Sequence, residues 1–248
     1  MKRTLAVSNV HKSFGGVRAV RGVSLALEEG HVLGLIGPNG SGKTTLLNLI
    51  AGVAKPSKGE ITLDGRRIDG LAPHRIVAAG IAKTHQIPRP FLSMTGRENV
   101  AVAALYGSNK TRDLPEAMET AGRVLGLVGL AGKEDVASSN LTVQQRKRLE
   151  FARVLATGAR ILLLDEIFAG LSPDELRDAV ALFARLQGEL GFGALVVEHV
   201  MRAVLTVSQH VVVMEEGSKI AEGTPQEVVQ NPAVIEAYLG PEAGRAPP

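Results

Sequence analysis

The stretch VLGLIGPNGSGKTTLLNLI, residues 32–50, joins a short continuous apolar run, a glycine-rich turn and a run with helical spacing, in that order. Strand, turn and helix in this sequence are the setting of a phosphate-binding loop. The composition follows from the chemistry: several backbone N–H groups must curl around phosphate oxygens, and side chains at Gly37, Gly40 and Gly42 would obstruct them. Lys43 then reaches the β and γ phosphates, Thr44 supplies a hydroxyl to Mg²⁺, and the helix N-terminus adds its dipole. The whole run Gly37, Pro38, Asn39, Gly40, Ser41, Gly42, Lys43, Thr44 and Thr45 is therefore read as nucleotide-binding.

Such a loop needs an acid for the metal and a base for the attacking water. ILLLDE, residues 161–166, meets that need as a buried strand that delivers two carboxylates at its C-terminal end. Asp165 is expected to orient Mg²⁺ and Glu166 to polarise the nucleophilic water as general base. A strand ending in Asp-Glu is by itself commonly a solvated strand end; the upstream loop gives this one its functional reading. His199 ends the next apolar strand, and strand ends on one edge of a parallel sheet converge on one crevice, so it joins the candidate site. The other five histidines have no such setting.

Around these motifs the chain alternates. Early apolar runs, TLAVSNVHKSF (4–14), VSLALEEG (23–30), VLGLIG (32–37) and EITLDG (60–65), read as strands, several of them antiparallel and joined by turns at Gly15-Gly16 and Glu29-Gly30. From about Arg97 to Ala156 helical spacing takes over. Beyond it RILLLDE, GALVVEH and HVVVMEEG read as strands buried on both faces, separated by helical stretches. A chain of 248 residues with 45% hydrophobic but 3% aromatic residues is expected to build its core from Val, Leu, Ile and Ala, as α/β folds do. The tail 241–248 reads as flexible.

Composition also excludes. A net charge of +3 from 28 basic and 25 acidic residues, well interspersed, gives no footprint for nucleic acid. Without cysteine there is no disulfide framework, thiol catalysis or Cys-ligated zinc. The N-terminus does not read as a signal peptide, and nothing approaches the roughly 18 consecutive apolar residues of a membrane span. Any membrane connection is expected to run through a partner.

In order along the chain, Phe14, the loop 37–45, Gln86 in AKTHQ, LTVQQ (141–145), Asp165-Glu166, AGLSPDE (169–175) and His199 resemble the motif series of the nucleotide-binding subunits of ABC transporters, over nearly the whole length. The resemblance implies a P-loop NTPase (RecA-like) α/β core, with an N-terminal antiparallel β-subdomain and an inserted helical subdomain at about 88–154, within one ATP-binding domain over 1–240. It further implies that Phe14 stacks on adenine, although a strand-end Phe is core as often as platform. Gln86 would link Mg²⁺ to the helical arm, and His199 would sense the γ-phosphate. The groove beside Gln86, with IPRPFLSM (87–94) after it, is where a permease helix is expected to dock, unless this is an ordinary Pro-containing loop.

The family signature L-S-G-G-Q is here LTVQQ. In the family's dimer each signature donates a hydroxyl and backbone N–H groups to the γ-phosphate held by the other subunit. Thr142 keeps the hydroxyl and Gln145 the terminal glutamine, whereas Val143 and Gln144 replace the glycines. Gln144 keeps its N–H but loses room, and backbone freedom if positive φ is needed. Two further departures are Ser172, where many relatives have Asp or Asn, and Val200, where Asp is frequent.

The ending GTPQEVVQNPAVIEAYLG (223–240), with TGRENVAVAAL and RKRLEFARVLATGARILLLDE, is similar to bacterial importers for branched-chain and other hydrophobic amino acids. ATPases of lipopolysaccharide-type export systems have a comparable YLG ending and remain an alternative, as does a nucleotide-dependent clamp with little turnover. A soluble ABC-type ATPase acting on nucleic acid or ribosomes usually carries two fused domains or a long coiled coil, and neither is here. The resemblance thus implies a peripheral protein on the cytoplasmic face of a bacterial plasma membrane. It would dimerise with itself or another ATPase subunit, bind permease subunits, and through them serve a substrate-binding protein.

Overall fold

The structure is a computed structural model that describes residues 2–85, 89–108 and 113–239. Gln86, the first two residues of the 87–94 stretch and the tail lie outside the described residues.

The chain opens with β1 (Thr4–Phe14) and β2 (Val17–Glu28), an antiparallel pair closed by the turn at Gly15-Gly16. β1 also pairs with β4 (Lys58–Leu63), which pairs with β5 (Arg66–Arg67), giving a four-stranded sheet in the order β2-β1-β4-β5. The turn at Glu29-Gly30 does not close a second hairpin. It carries the chain out of this sheet into β3 (Val32–Ile36), which is buried along its whole length and belongs to a second sheet. A strand buried on both faces needs parallel neighbours whose crossover helices cover it, not a hairpin partner with one wet face.

The second sheet has the order β10-β9-β3-β8-β7-β6, from β6 (Ile81–Lys83), β7 (Ile161–Asp165), β8 (Gly193–Val197), β9 (His210–Glu215) and β10 (Ser218–Gly223). All its pairs are parallel except β9 with β10. α1 (Lys43–Ile50) follows β3, and α2 (Pro73–Ala79) precedes β6. Between β6 and β7 lie α3 (Gly96–Leu105), α4 (Leu114–Leu127) and α5 (Val143–Ala156). α6 (Pro173–Leu190) crosses from β7 to β8 and α7 (Met201–Val207) from β8 to β9, while α8 (Pro225–Gln230) and α9 (Pro232–Leu239) close the described chain.

Strand periodicity divides the core. On β7, Leu162 and Leu164 face α3 to α6, whereas Ile161 and Leu163 face α1 and the antiparallel sheet. Aliphatic side chains dominate both layers, as the composition predicts. Four of the six phenylalanines nevertheless gather in one place: Phe151, Phe168, Phe183 and Phe192 pack with ring centroids 5.9–6.4 Å apart, mostly edge to face. Composition counts residues but not where they meet.

Candidate functional site

Three adjacent strands, β3, β8 and β7, end on one edge of the parallel sheet, and each delivers one piece of the site. After β3 comes the loop Gly37–Gly42, and Lys43 starts α1. Its glycines answer to a further constraint, set by the chain's own backbone. A Cβ on Gly37 would lie 2.0 Å from the carbonyl O of Met214, and one on Gly42 would lie 2.2 Å from that of Ala19, so the chain's own backbone excludes side chains there. Gly40 faces open space, and its φ of +78° is what selects glycine. Lys43 is buried, and its Nζ donates to the carbonyl oxygens of Gly37 and Pro38, both at 2.8 Å, and to Ser41 Oγ at 3.2 Å. Burial pushes its pKa down, while Glu166 and Asp165 oppose the shift. The ammonium thus stays within the loop it is expected to serve.

β7 ends at Asp165, whose N–H donates to Thr84 Oγ1 at the end of β6. Neither carboxylate oxygen of Asp165 has a hydrogen-bond partner among the described residues, although both are buried. Lys83 Nζ stands 3.5 Å from Oδ2. Burial raises the Asp165 pKa, with Lys83 acting against it and Glu166 adding to it. Next comes Glu166 with φ +54°, a left-handed conformation that costs a non-glycine residue on the order of 1–3 kcal/mol. The turn aims its Oε1 at His199 Nε2, 2.8 Å away. Glu166 and His199 line, with Lys43, Thr44 and Thr45, a crevice of about 540 Å³. Thr44 and Asp165 both line a neighbouring groove of about 580 Å³.

Likeness to known proteins bears on this arrangement. The family described as ABC transporter matches residues 20–169, and the one described as branched-chain amino acid ATP-binding cassette transporter matches residues 218–240. The chain is 43% identical, over 95% of its length and 97% of the relative's, to the high-affinity branched-chain amino acid transport ATP-binding protein BraF of Pseudomonas aeruginosa. This chain belongs to the ABC transporter family. LivG of Salmonella typhimurium, with the same description, is 40% identical over 95% of this chain and 97% of its own. Among solved structures, the ADP conformation of MJ1267, an ATP-binding cassette of an ABC transporter, superposes with a TM-score of 0.86 at 32% identity, covering 96% of this chain and 99% of that one. The chain is accordingly a nucleotide-binding, ATP-hydrolysing ABC subunit.

The string LTVQQ, which resembles the family signature, lies at the start of α5. Thr142 is the N-cap: its Oγ1 accepts from the N–H of Gln145, and Gln145 Oε1 accepts from the N–H of Thr142. Both side chains are thus used locally as a capping box. The hydroxyl acts there as an acceptor, so its own proton is left for another partner. Val143 and Gln144 occupy the first turn, where N–H groups have no intrahelical acceptor. Gln144 has no left-handed φ. Backbone freedom is therefore not what the missing glycine would have supplied; only room is at stake.

Ser172 caps α6 through a second such box with Glu175, a task that Ser performs as well as Asp or Asn. Val200 stands at the N-cap of α7 with no side-chain bond. Phe14 is half exposed at the end of β1 with Lys12 Nζ 4.9 Å from its ring centre. The crevice itself is lined by its cross-strand partner Val17 and by Arg18 and Arg21, three residues that no motif flagged.

Glu198, between β8 and His199, was also missed. It is 1% exposed, and burial pushes its carboxyl up to about 7 even though the N–H of Phe168 and the charge of Lys147 favour ionisation. The ordinary value is 4.5, so the folded chain holds this proton more tightly than the unfolded one. Stability from this group is present below pH 4.5 and is lost as pH rises through about 7, by up to about 3 kcal/mol. Glu198→Gln cannot ionise but still accepts a hydrogen bond. Its melting temperature relative to the natural protein should therefore climb between pH 5 and pH 8 in thermal scans, and a constant difference would contradict this account.

Proposed function

We propose that this chain energises a bacterial importer of branched-chain or other hydrophobic amino acids, by hydrolysing MgATP as half of a homo- or heterodimer at the cytoplasmic face of the plasma membrane. The observation that carries the chemistry is the Glu166 to His199 contact of 2.8 Å, at the rim of the Lys43 crevice. In this reading Lys43 and the loop N–H groups bind the β and γ phosphates, Glu166 takes a proton from the attacking water, and His199 holds Glu166 and the γ-phosphate in register. The buried carboxylate of Asp165, paired with Lys83 but without a hydrogen-bond partner among the described residues, and the hydroxyl of Thr44 suit a hydrated cation, with Gln86 as the third group toward it. When bound, Mg²⁺ would neutralise charge on the β and γ phosphates. Thr142, Gln144 and Gln145 would face the nucleotide of the partner subunit, and Phe14 the adenine.

Substrate class rests on the match at residues 218–240 and on the likeness to BraF and LivG, which favour uptake over lipopolysaccharide export. Glu166 beside His199 supports an enzyme over a clamp. No helix among the described residues is long and apolar enough to cross a membrane, which fits a peripheral subunit held by its permease and acting with a substrate-binding protein. A strain lacking this chain should lose ATP-driven uptake of labelled leucine, isoleucine and valine; unchanged uptake of all three would refute the substrate class.

Docking of the permease is assigned to the groove of about 580 Å³ between α1, α2 and the segment around Lys83 and Arg89. Its wall includes Val53, which is 63% exposed, and Phe91 and Leu92 beyond Arg89 are exposed as well. Apolar side chains left in water beside a groove suit an amphipathic helix. Val53→Glu should cut co-purification with the permease about tenfold or more, and undiminished recovery of the complex would remove this groove from consideration.

A further inference from the structure

Glu198 is buried one residue before His199, yet neither phosphate binding nor water activation uses it. Its Oε1 accepts from the N–H of Phe168 at 2.5 Å, and its Oε2 has no hydrogen-bond partner among the described residues. From the opposite side, Lys147 Nζ on α5 donates to the carbonyl oxygens of Glu166, at 3.3 Å, and of Ala169. We infer that Glu198 and Lys147 are positioning residues that clamp the segment Glu166–Ala169 between β8 and the signature helix, and so hold the Glu166 carboxylate on His199.

The need for a clamp lies in the backbone. Glu166 has φ +54°, which a non-glycine residue leaves unless its surroundings over-determine it. One tether is its own N–H, which donates to the carbonyl O of Val197 at 2.9 Å. That bond fixes where the turn begins but not where it goes. Phe168 fixes the far end: its ring is buried edge-on to Phe183, with centroids 5.9 Å apart, and its N–H is held by Glu198. Lys147 closes the arrangement by binding carbonyls at both ends of the segment. Released at Phe168 or at the two carbonyls, residue 166 can relax toward ordinary φ and swing its side chain off His199.

Stability alone does not account for this carboxylate. Burial raises its pKa to about 7, so ionised Glu198 is a cost to folding at neutral pH, and an apolar side chain in the same space would remove that cost. Lys147 and Glu166 are the charged groups that face it. Lys147 also belongs to the helix whose N-terminus is the signature, so one cation joins this chain's general base to the element that faces the other nucleotide site.

The proposal rests on Glu166 acting on the attacking water, and the experiment separates the two claims. Steady-state phosphate release and affinity for a fluorescent ATP analogue are measured on the full chain for Glu198→Leu, Glu198→Gln, Lys147→Met and Glu166→Gln. Amide hydrogen exchange of the peptide spanning 166–170 is followed in parallel, a readout that needs no turnover. Glu198→Leu is expected to lower kcat tenfold or more with nucleotide affinity within threefold, and to speed exchange in that peptide tenfold or more while peptides of α4 are unchanged. Glu198→Gln, which keeps the acceptor, restores kcat to within threefold and restores protection. Lys147→Met reproduces the loss, and adding it to Glu198→Leu costs little more, since one clamp is already open. Unchanged exchange and kcat in Glu198→Leu would overturn the clamp, as would an equal loss in Glu198→Gln or a parallel fall in affinity. If Glu166→Gln also leaves phosphate release intact, the reading of Glu166 fails; if only Glu166→Gln is slow, the clamp alone fails.

Discussion

Glu166→Gln should bind ATP with near-natural affinity and hydrolyse it roughly 10²–10⁴-fold more slowly, whereas Lys43→Ala should lose ATP binding itself. The two residues sit in one crevice, and in the proposed mechanism they answer to different parts of the reaction. Lys43 is buried and donates three hydrogen bonds within the loop, so its removal leaves the carbonyls of Gly37 and Pro38 without that donor and takes away the cation proposed to face phosphate. Hydrogen bonds from a charged group contribute about 1.5–3 kcal/mol each, enough for an affinity loss of about tenfold to about 150-fold from a single lost phosphate contact. Glu166 makes no bond to the loop. Its carboxylate points at His199, and glutamine preserves its shape and an acceptor while removing the base. A closed dimer with ATP trapped should accumulate in Glu166→Gln, visible by size-exclusion chromatography with nucleotide. Equal loss of nucleotide affinity in both variants, measured by fluorescence titration, would refute the division of labour.

Much of this site is legible in the sequence because it is local. The phosphate loop, the acid pair at 165–166 and His199 are each short strings at the ends of apolar runs, and the parallel sheet brings such ends together by a rule that needs no coordinates. What the string cannot carry is the reason each residue is needed. To the expectation that glycines at 37 and 42 make way for phosphate the fold adds clashes with the backbone of Met214 and Ala19, residues that lie 177 and 23 positions away along the chain. Glu198 and Lys147 escaped notice for the same reason: a charge before a strand-end histidine and a lysine on a basic helix are unremarkable until packing sets both against residues 166–169. Val17, Arg18 and Arg21 reach the crevice only because β2 extends back to Val17, further than its apolar run from Val23 indicates. Gln86 lies outside the described residues, so its part in the site remains a proposal drawn from the resemblance.

Replacing Gln144 with glycine should raise ATPase activity about tenfold or more in a homodimer, the ceiling being the roughly 10²–10³ that one lost oxyanion-type donor costs. The helix start explains both the defect and its limit. Gln144 sits in the first turn of α5 with no left-handed φ, so its N–H is already presented as a glycine's would be. Thr142 accepts from Gln145 N–H and keeps its own proton to give, so two donors survive the departure from the family signature. In the proposed dimer only the added side chain would stand between them and the γ-phosphate of the facing subunit. Glycine within the helix costs up to about 1 kcal/mol of stability, a small fraction of the whole and least harmful in a first turn that is capped at both Thr142 and Gln145. In a mixed dimer whose partner brings an intact signature, the site built on Lys43, Asp165, Glu166 and His199 of this chain is completed by good donors and dominates turnover. The opposite site, completed by Thr142 to Gln145 of this chain, adds little, so Gln144→Gly should change the mixed dimer far less than the homodimer. Steady-state hydrolysis of the variant, alone and with candidate partner subunits, distinguishes the cases. Unchanged or lower activity in every combination would mean that the glutamine side chain already folds clear of the phosphate, and that crowding is not what LTVQQ does.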